Sequence, residues 1–463
     1  MRDLVPALVL FTALLAGCAG GGPGGGPEPG PSEGPTGTRL ALGFLPPVAL
    51  PCPQDATAQV YDLTGGCSSF AEPVIEVAGD GTIWASTTCC YNRPPPIWTS
   101  RDGGESFELL RDPVRETLGV EGDFAIDAAG NVFFFDMFGG YPGVVLTGYT
   151  AAGEHRWTVP FSFKAADRPF VRAGEADQVY AVYSTLDTTV FLASSDGGQT
   201  WDPLRLMEVP CRLGILGQGP EPGHLHLVAC TRQPRLWESL DGGATWLAPQ
   251  DIPLPDDDLG NFRYADHDYF AQPPVVDEAG TLYVPFKHPL NGTPPADPIV
   301  ETGLVTTGEP EDGLGIFLAR RTTDGTWLEP VRIGPDGSNW FPWGGAGAAG
   351  VFALAWYHTD DKVPTASSTW VLMAAASVDA DSEVPTFQVV IADPVPVATG
   401  TPTMIFGSPP GENTLGDFLQ TDLAPDGRVV IGYARMEGEG TTAYILRSDG
   451  ALPLPTTDYR NGP

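Results

Sequence analysis

The chain has 463 residues, with 24 Lys+Arg against 58 Asp+Glu and a formal net charge of −34 at pH 7. An acidic surplus of this size repels phosphate backbones and anionic lipid heads, which excludes nucleic-acid binding and attachment through a polybasic patch. Hydrophobic residues at 42% and aromatics at 10% are enough for a large core. Lysine occurs only at Lys164, Lys287 and Lys362, so Arg supplies most of the positive charge, which we read as coding bias.

Leu4–Leu15 is an apolar run behind Met1 and Arg2, too short to span a bilayer, and reads with residues 1–17 as a secretory signal. Its end, Leu15-Ala16-Gly17-Cys18, resembles the lipobox of bacterial lipoproteins, which implies lipidation at Cys18 and anchoring to the cell envelope through lipid alone. Residues 18–38 follow as the lipidated Cys and a tether, with 14 Gly and Pro among residues 19–38. The remaining domain is expected over 39–463.

Six further cysteines in an exported chain imply disulfides. Cys211 and Cys230 are symmetric about the turn Gly219-Pro220-Glu221-Pro222-Gly223, so a hairpin there would oppose them, and we pair them. Cys67 and either Cys89 or Cys90 are nearly symmetric about Gly79-Asp80-Gly81, leaving Cys52 for the other. The alternative is Cys89–Cys90 with Cys52–Cys67. No CxxC pair exists and no His neighbours these thiols, so they are not expected to hold zinc.

An internal repeat organises the rest: an apolar run, a tight turn and a second apolar run rich in aromatics. Its turns are marked by Gly81, Gly130, Asp177, Gly223, Gly280, Gly350 and Gly427, at intervals of 49, 47, 46, 57, 70 and 77 residues. The early spacing suits a four-stranded propeller blade, and the later intervals require insertions such as 289–313. We therefore expect an all-β chain folded as a β-propeller of four-stranded antiparallel blades. Seven blades are expected, or six if the Trp340–Tyr357 and Gly416–Arg435 units share one. Ring closure should pair Leu40–Val48 with strands near the C-terminus.

A second signature, Ser-x-Asp-Gly-Gly-x-Ser/Thr-aromatic, occurs three times. The copies hold Ser100, Asp102, Gly104 and Phe107; Ser194, Asp196, Gly198 and Trp201; and Ser239, Asp241, Gly243 and Trp246. Thr323–Trp327 and Ser448–Gly450 read as degenerate copies. The chemistry suits a hairpin tip: Asp accepts bonds from following amides, the glycines supply positive φ, and the aromatic anchors the turn. These turns resemble the Asp-box (BNR) repeats of the sialidase superfamily. That resemblance implies that each box joins the third and fourth strands of a blade and is structural.

In such a blade of strands A to D, the A–B turns and the boxes share one face. The starts of strands A and the B–C loops share the other, where function is sought. The residues expected around a central pocket there are Arg93, Asp123, Asp167, Arg168, Asp266, His267, Asp268, Trp340, Trp343 and Asp417. The two tryptophans are natural sugar-stacking platforms.

Three function classes fit: a surface-anchored propeller that binds a glycan or another extracytoplasmic ligand, a glycoside hydrolase, and a structural module of the envelope. The sialidase resemblance implies a tyrosine–glutamate nucleophile pair, an Asp acid/base and three arginines on a carboxylate. Arginines to choose among are Arg93, Arg168, Arg263, Arg320 and Arg435. A neutral-sugar hydrolase would use two carboxylates, and Asp123 with Asp268 is the pair that the sequence offers. No cofactor is expected; an acidic ring can hold Ca²⁺, but no loop has EF-hand or nonapeptide spacing. The chain is expected to act as a monomer.

Overall fold

The computed structural model describes residues 40–52, 70–88, 95–110, 119–138, 143–162, 167–185, 188–202, 207–210, 214–229, 234–255, 273–290, 299–301, 304–306, 313–400, 415–416, 419–438 and 440–452. All of them belong to one unit, Leu40–Pro463. No helix occurs among the described residues.

Seven four-stranded antiparallel sheets form a seven-bladed β-propeller. In the order strands A to D, blade 1 is Ala71–Val77, Ile83–Thr88, Ile97–Ser100 and Glu108–Leu109. Blade 2 is Gly119–Ile126, Val132–Phe138, Gly143–Tyr149 and His155–Ser162. Blade 3 is Asp167–Ala173, Val179–Ser184, Thr189–Ser194 and Met207–Val209. Blade 4 is Ile215–Gln218, Leu225–Ala229, Arg235–Ser239 and Gln250–Asp251. Blade 5 is Val275–Val276, Leu282–Pro289, Leu314–Arg321 and Trp327–Arg332, with a small hairpin, Ile299–Glu301 and Leu304–Thr306, inserted between B and C. Blade 6 is Ser338–Ala346, Phe352–Thr359, Thr369–Ser377 and Gln388–Thr399.

Blade 7 closes the ring. Its A, B and C strands are Gln420–Leu423, Val429–Glu437 and Gly440–Arg447, and its outer strand is Val48–Ala49 from the other end of the chain. Val48 pairs with Ile445 and Ala49 with Tyr444, and Phe44 bridges Ser448, so the expected Leu40–Val48 segment closes the ring together with Ala49. Closure of this kind joins the first and last blades and removes an unpaired edge. The Trp340 and Gln420 strands lie in different sheets, which decides for seven blades over six.

The A–B turns stitch successive blades together. Asp127 accepts bonds from the amides of Ala129 (2.9 Å) and Asn131 (2.8 Å) in its own turn, and from Asp177 N (2.8 Å) in the next blade. Asp277 repeats the device between blades 5 and 6, accepting from Thr281 N (2.9 Å) and Gly350 N (2.9 Å). Asp177, the one marker that is not glycine, has φ +61°, so it fills the left-handed position the repeat demands.

Cys52 is disulfide-bonded. The other cysteines lie outside the described residues, as does the expected Cys211–Cys230 pair, with Cys18 and the tether.

Candidate functional site

Strand A carries one extra residue near its start in blades 1, 2, 3 and 6. In blade 1, Ala71 faces Thr88 and Val74 faces Ser86, so three steps on one strand match two on its partner. Blade 3 repeats this between Asp167 and Phe170, and blade 6 between Trp340 and Trp343. In these three blades the bulged residue is left-handed and not glycine: Glu72 at φ +49°, Arg168 at +56° and Phe341 at +55°. Each precedes a proline (Pro73, Pro169, Pro342), and each is buried, at 0%, 3% and 2% exposure. Left-handed backbone costs a β-strand residue free energy, so tertiary contacts must hold these three positions.

Those contacts run to the neighbouring blade. Glu72 accepts a hydrogen bond from Thr88 Oγ1 (2.9 Å) within its own blade. Its Cγ also lies so close to Gly416, on the lead into blade 7, that a Cβ at 416 would collide with it. Phe341 has Lys287 of blade 5 above its ring, Nζ 5.3 Å from the centroid, and meets the Tyr357 ring edge-on. Burial and the nearby Glu72 charge push Tyr357 well above the usual phenol range, although its hydroxyl donates to Ala434 O. Burial, with Glu208, pushes Tyr183 up to about 12. Both phenols stay protonated at neutral pH.

The residues expected around a pocket divide into several environments. Arg168 stands on the bulge, and Asp167 opens its strand. Asp123 lies further along strand A of blade 2, where it accepts from Val171 N (3.1 Å), Arg172 (2.8 Å) and Gln420 Nε2 (3.1 Å). Its carboxylate thus joins blades 2, 3 and 7. Trp340 is 7% exposed and packs on Trp370 at 4.3 Å, and Trp343 is 4% exposed. Arg435 pairs with Asp393 (3.1 Å) and lies over the Tyr444 ring. Arg320 is fully buried on the opposite face, donating to the carbonyls of Ala380 (3.2 Å) and Ser382. Arg93, Arg263, Asp266, His267, Asp268 and Asp417 lie outside the described residues.

The Ser-x-Asp-Gly-Gly turns occupy the other face and satisfy themselves. In each, Ser Oγ donates to Asp Oδ1 and accepts from the second Gly amide: Ser100–Asp102 2.7 Å, Ser194–Asp196 2.8 Å, Ser239–Asp241 2.9 Å. The following Ser or Thr donates its hydroxyl to Oδ2, at 2.5 Å from Ser106, 2.6 Å from Thr200 and 2.7 Å from Thr245. Hydrogen bonds from Ser106 therefore hold the Asp102 carboxyl well below the usual range, and those from Thr245 lower Asp241. The second glycine of each turn abuts the preceding blade, Gly104 on Arg447, Gly198 on Leu146 and Gly243 on Phe191. The turn touches its own A–B turn as well, through Gly197 N to Asp177 O (2.7 Å) and Gly242 N to Gly223 O (2.8 Å).

Blade 6 holds a related turn that the sequence did not disclose. Ser377 Oγ donates to Asp379 (2.8 Å), which accepts from Thr386 N (2.8 Å). Seven residues separate the Asp from the Thr there, against four elsewhere, and this spacing hides the motif. On the same face, a cleft of about 290 Å³ between blades 7 and 1 is lined by Asp80, Arg101, Asp426, Arg428 and Arg447.

No family model and no curated protein matches the chain. Among solved structures, one similar in fold is a polysaccharide lyase of family PL25, an ulvan lyase bound to -[GlcA(1-4)Rha3S]-. Its TM-score is 0.49 at 11% identity, covering 82% of this chain and 94% of that one. A fungal alcohol oxidase of the AA5 family in complex with copper gives 0.47 at 10%, over 88% and 76%. The WD40 repeats of RRP9 give 0.44 at 10%, over 87% and 99%. Nothing about ligand or chemistry passes from these proteins to this chain at such identities.

Proposed function

We propose that this chain is an exported, lipid-anchored propeller of the sialidase-like kind that binds a glycan on the face where its strands A begin, without turning it over. The reading rests on the bulge repeated in blades 1, 3 and 6. It sets Glu72, Arg168 and Phe341 at the same level of the ring, in a conformation that each residue type disfavours. All three side chains are buried, so in this reading they shape and charge the floor beneath the glycan and do not stack on it. Binding is favoured over hydrolysis because Asp123, one of the two carboxylates a neutral-sugar hydrolase would need, is committed to Val171, Arg172 and Gln420.

The test is a glycan array probed with the Cys18→Ser chain, followed by titration of the best ligand. Glu72→Gln keeps size and the acceptor for Thr88, and is expected to weaken binding at least tenfold with little change in melting temperature. Wild-type protein that binds no glycan, or a Glu72→Gln variant that binds as well as wild type, overturns the reading. Release of liberated sugar from the bound ligand would move it to the hydrolase class. For the anchor, Cys18→Ser is expected to shift the protein from the membrane to the soluble fraction. In that oxidising compartment, peptide mapping without reductant is expected to find Cys211 linked to Cys230.

A further inference from the structure

A second constellation lies on the opposite face and has no part in the proposed glycan site. His224 and His226 flank Leu225 at the start of strand B of blade 4, so the strand's alternation turns both imidazoles to one side. Glu238 of strand C stands directly opposite His226 in the antiparallel register. The two rings lie 4.4 Å apart, and both Nε2 atoms face one carboxylate oxygen, Glu238 Oε1, at 2.7 Å from His224 and 3.5 Å from His226. All three potential ligand atoms lie within 4.8 Å of one another.

The surroundings fix this geometry. Arg321 of blade 5 donates to Glu238 Oε2 at 2.9 Å and holds the carboxylate plane. His226 is 2% exposed, and its Nδ1 has no hydrogen-bond partner among the described residues, so its polar contacts gather at Nε2. His224 keeps 19% side-chain exposure, which leaves one side of the cluster open to solvent.

We propose that His224 Nε2, His226 Nε2 and Glu238 Oε1 form a binding site for one divalent transition ion of the zinc class. Zn–N near 2.0–2.1 Å and Zn–O near 2.0–2.2 Å put tetrahedral ligand atoms roughly 3.3 Å apart. The His226–Glu238 separation of 3.5 Å already matches that edge, and the His224–Glu238 separation of 2.7 Å widens as the ion replaces a proton. Two imidazoles and one carboxylate leave the fourth position to water on the exposed side, and imidazole donors select zinc over calcium. The ion would tie strands B and C of blade 4 together, with Arg321 carrying the link to blade 5.

The full chain, stripped with a chelator, is titrated with Zn²⁺ by calorimetry. One ion per chain is expected, with the affinity reduced at least thirtyfold in both His224→Ala and Glu238→Gln. Saturating Zn²⁺ should raise the melting temperature of wild type and leave that of His224→Ala unmoved. Because Glu238 also holds Arg321, His224→Ala carries the test if Glu238→Gln fails to fold. Absence of stoichiometric binding, equal affinity in His224→Ala, or displacement of Zn²⁺ by equimolar Ca²⁺ overturns the proposal.

Discussion

Phe170 of blade 3 and Trp343 of blade 6 meet with ring centroids 6.2 Å apart, although blades three places apart are as far separated as a ring of seven allows. Each ring directly follows the proline of its strand-A bulge, so the two bulges deliver aromatics to the axis from opposite sides. With Phe170 at 1% and Trp343 at 4% exposure, the middle of the propeller is filled by side chains at this level. A ligand on the strand-A face meets a floor there.

Removing that floor should be costly. Trp343→Ala deletes a large ring from a close-packed junction, and losses of about 3–5 kcal/mol accompany such truncations. The denaturant midpoint should fall accordingly, and Trp343→Phe should restore most of it. A Trp343→Ala midpoint close to wild type would show that the ring is not part of the core.

Two glycine substitutions separate crowding from backbone preference. Gly198 has φ +88°, and a Cβ there would collide with Leu146 of the preceding blade. Gly438 has φ +63° and nothing within 4 Å of a built Cβ. Gly438→Ala should cost only the left-handed penalty, about 1 kcal/mol. Gly198→Ala should cost several times more by thermal or denaturant unfolding, because the blade junction must also open.

The turn aspartates make an acid limb. Asp102 and Asp241 are lowered by the hydroxyls of Ser106 and Thr245, and Asp196 is lowered by Thr200 although its partial burial works against this. A folded-state carboxyl below its unfolded value of 3.8 contributes stability above about pH 4 that is lost as pH falls through the lower folded value. Melting temperature should therefore drop from pH 4 downward. Asp196→Asn should lower stability at pH 7 and flatten this acid limb, and an unchanged limb would assign it to other carboxylates.

Arg435 neutralises Asp393, whose side chain is 1% exposed and also accepts from Tyr433 (2.5 Å). Arg435→Gln strips the cation from a buried carboxylate, a change worth about 3–5 kcal/mol when one partner of a buried pair is removed. Unfolding midpoints in denaturant would read the loss. Arg435→Gln with Asp393→Asn should be less damaging than Arg435→Gln alone.

The blade repeat, the marker turns and the three Ser-x-Asp-Gly-Gly boxes were legible in the sequence because their chemistry is local. Asp102, Asp196 and Asp241 bond groups within four residues, so their spacing survives wherever the hairpin goes. The blade 6 copy, Ser377–Asp379–Thr386, was hidden by longer spacing at the same local site. His224 and His226 were equally visible as a pair, but their meaning depends on Glu238 across the hairpin and Arg321 from another blade. Asp123 was expected at a pocket wall; its partners lie 48 and 297 residues away, and those distances made it a staple between strands A. Trp340 and Trp343 were expected as sugar platforms and are placed among Trp370 and Phe170. Blade number was decided in the same way, by which strands share hydrogen bonds. Turn geometry follows from the residues within it, whereas burial and charge pairing follow from what the closed ring brings alongside, and no stretch of chain contains its own neighbours.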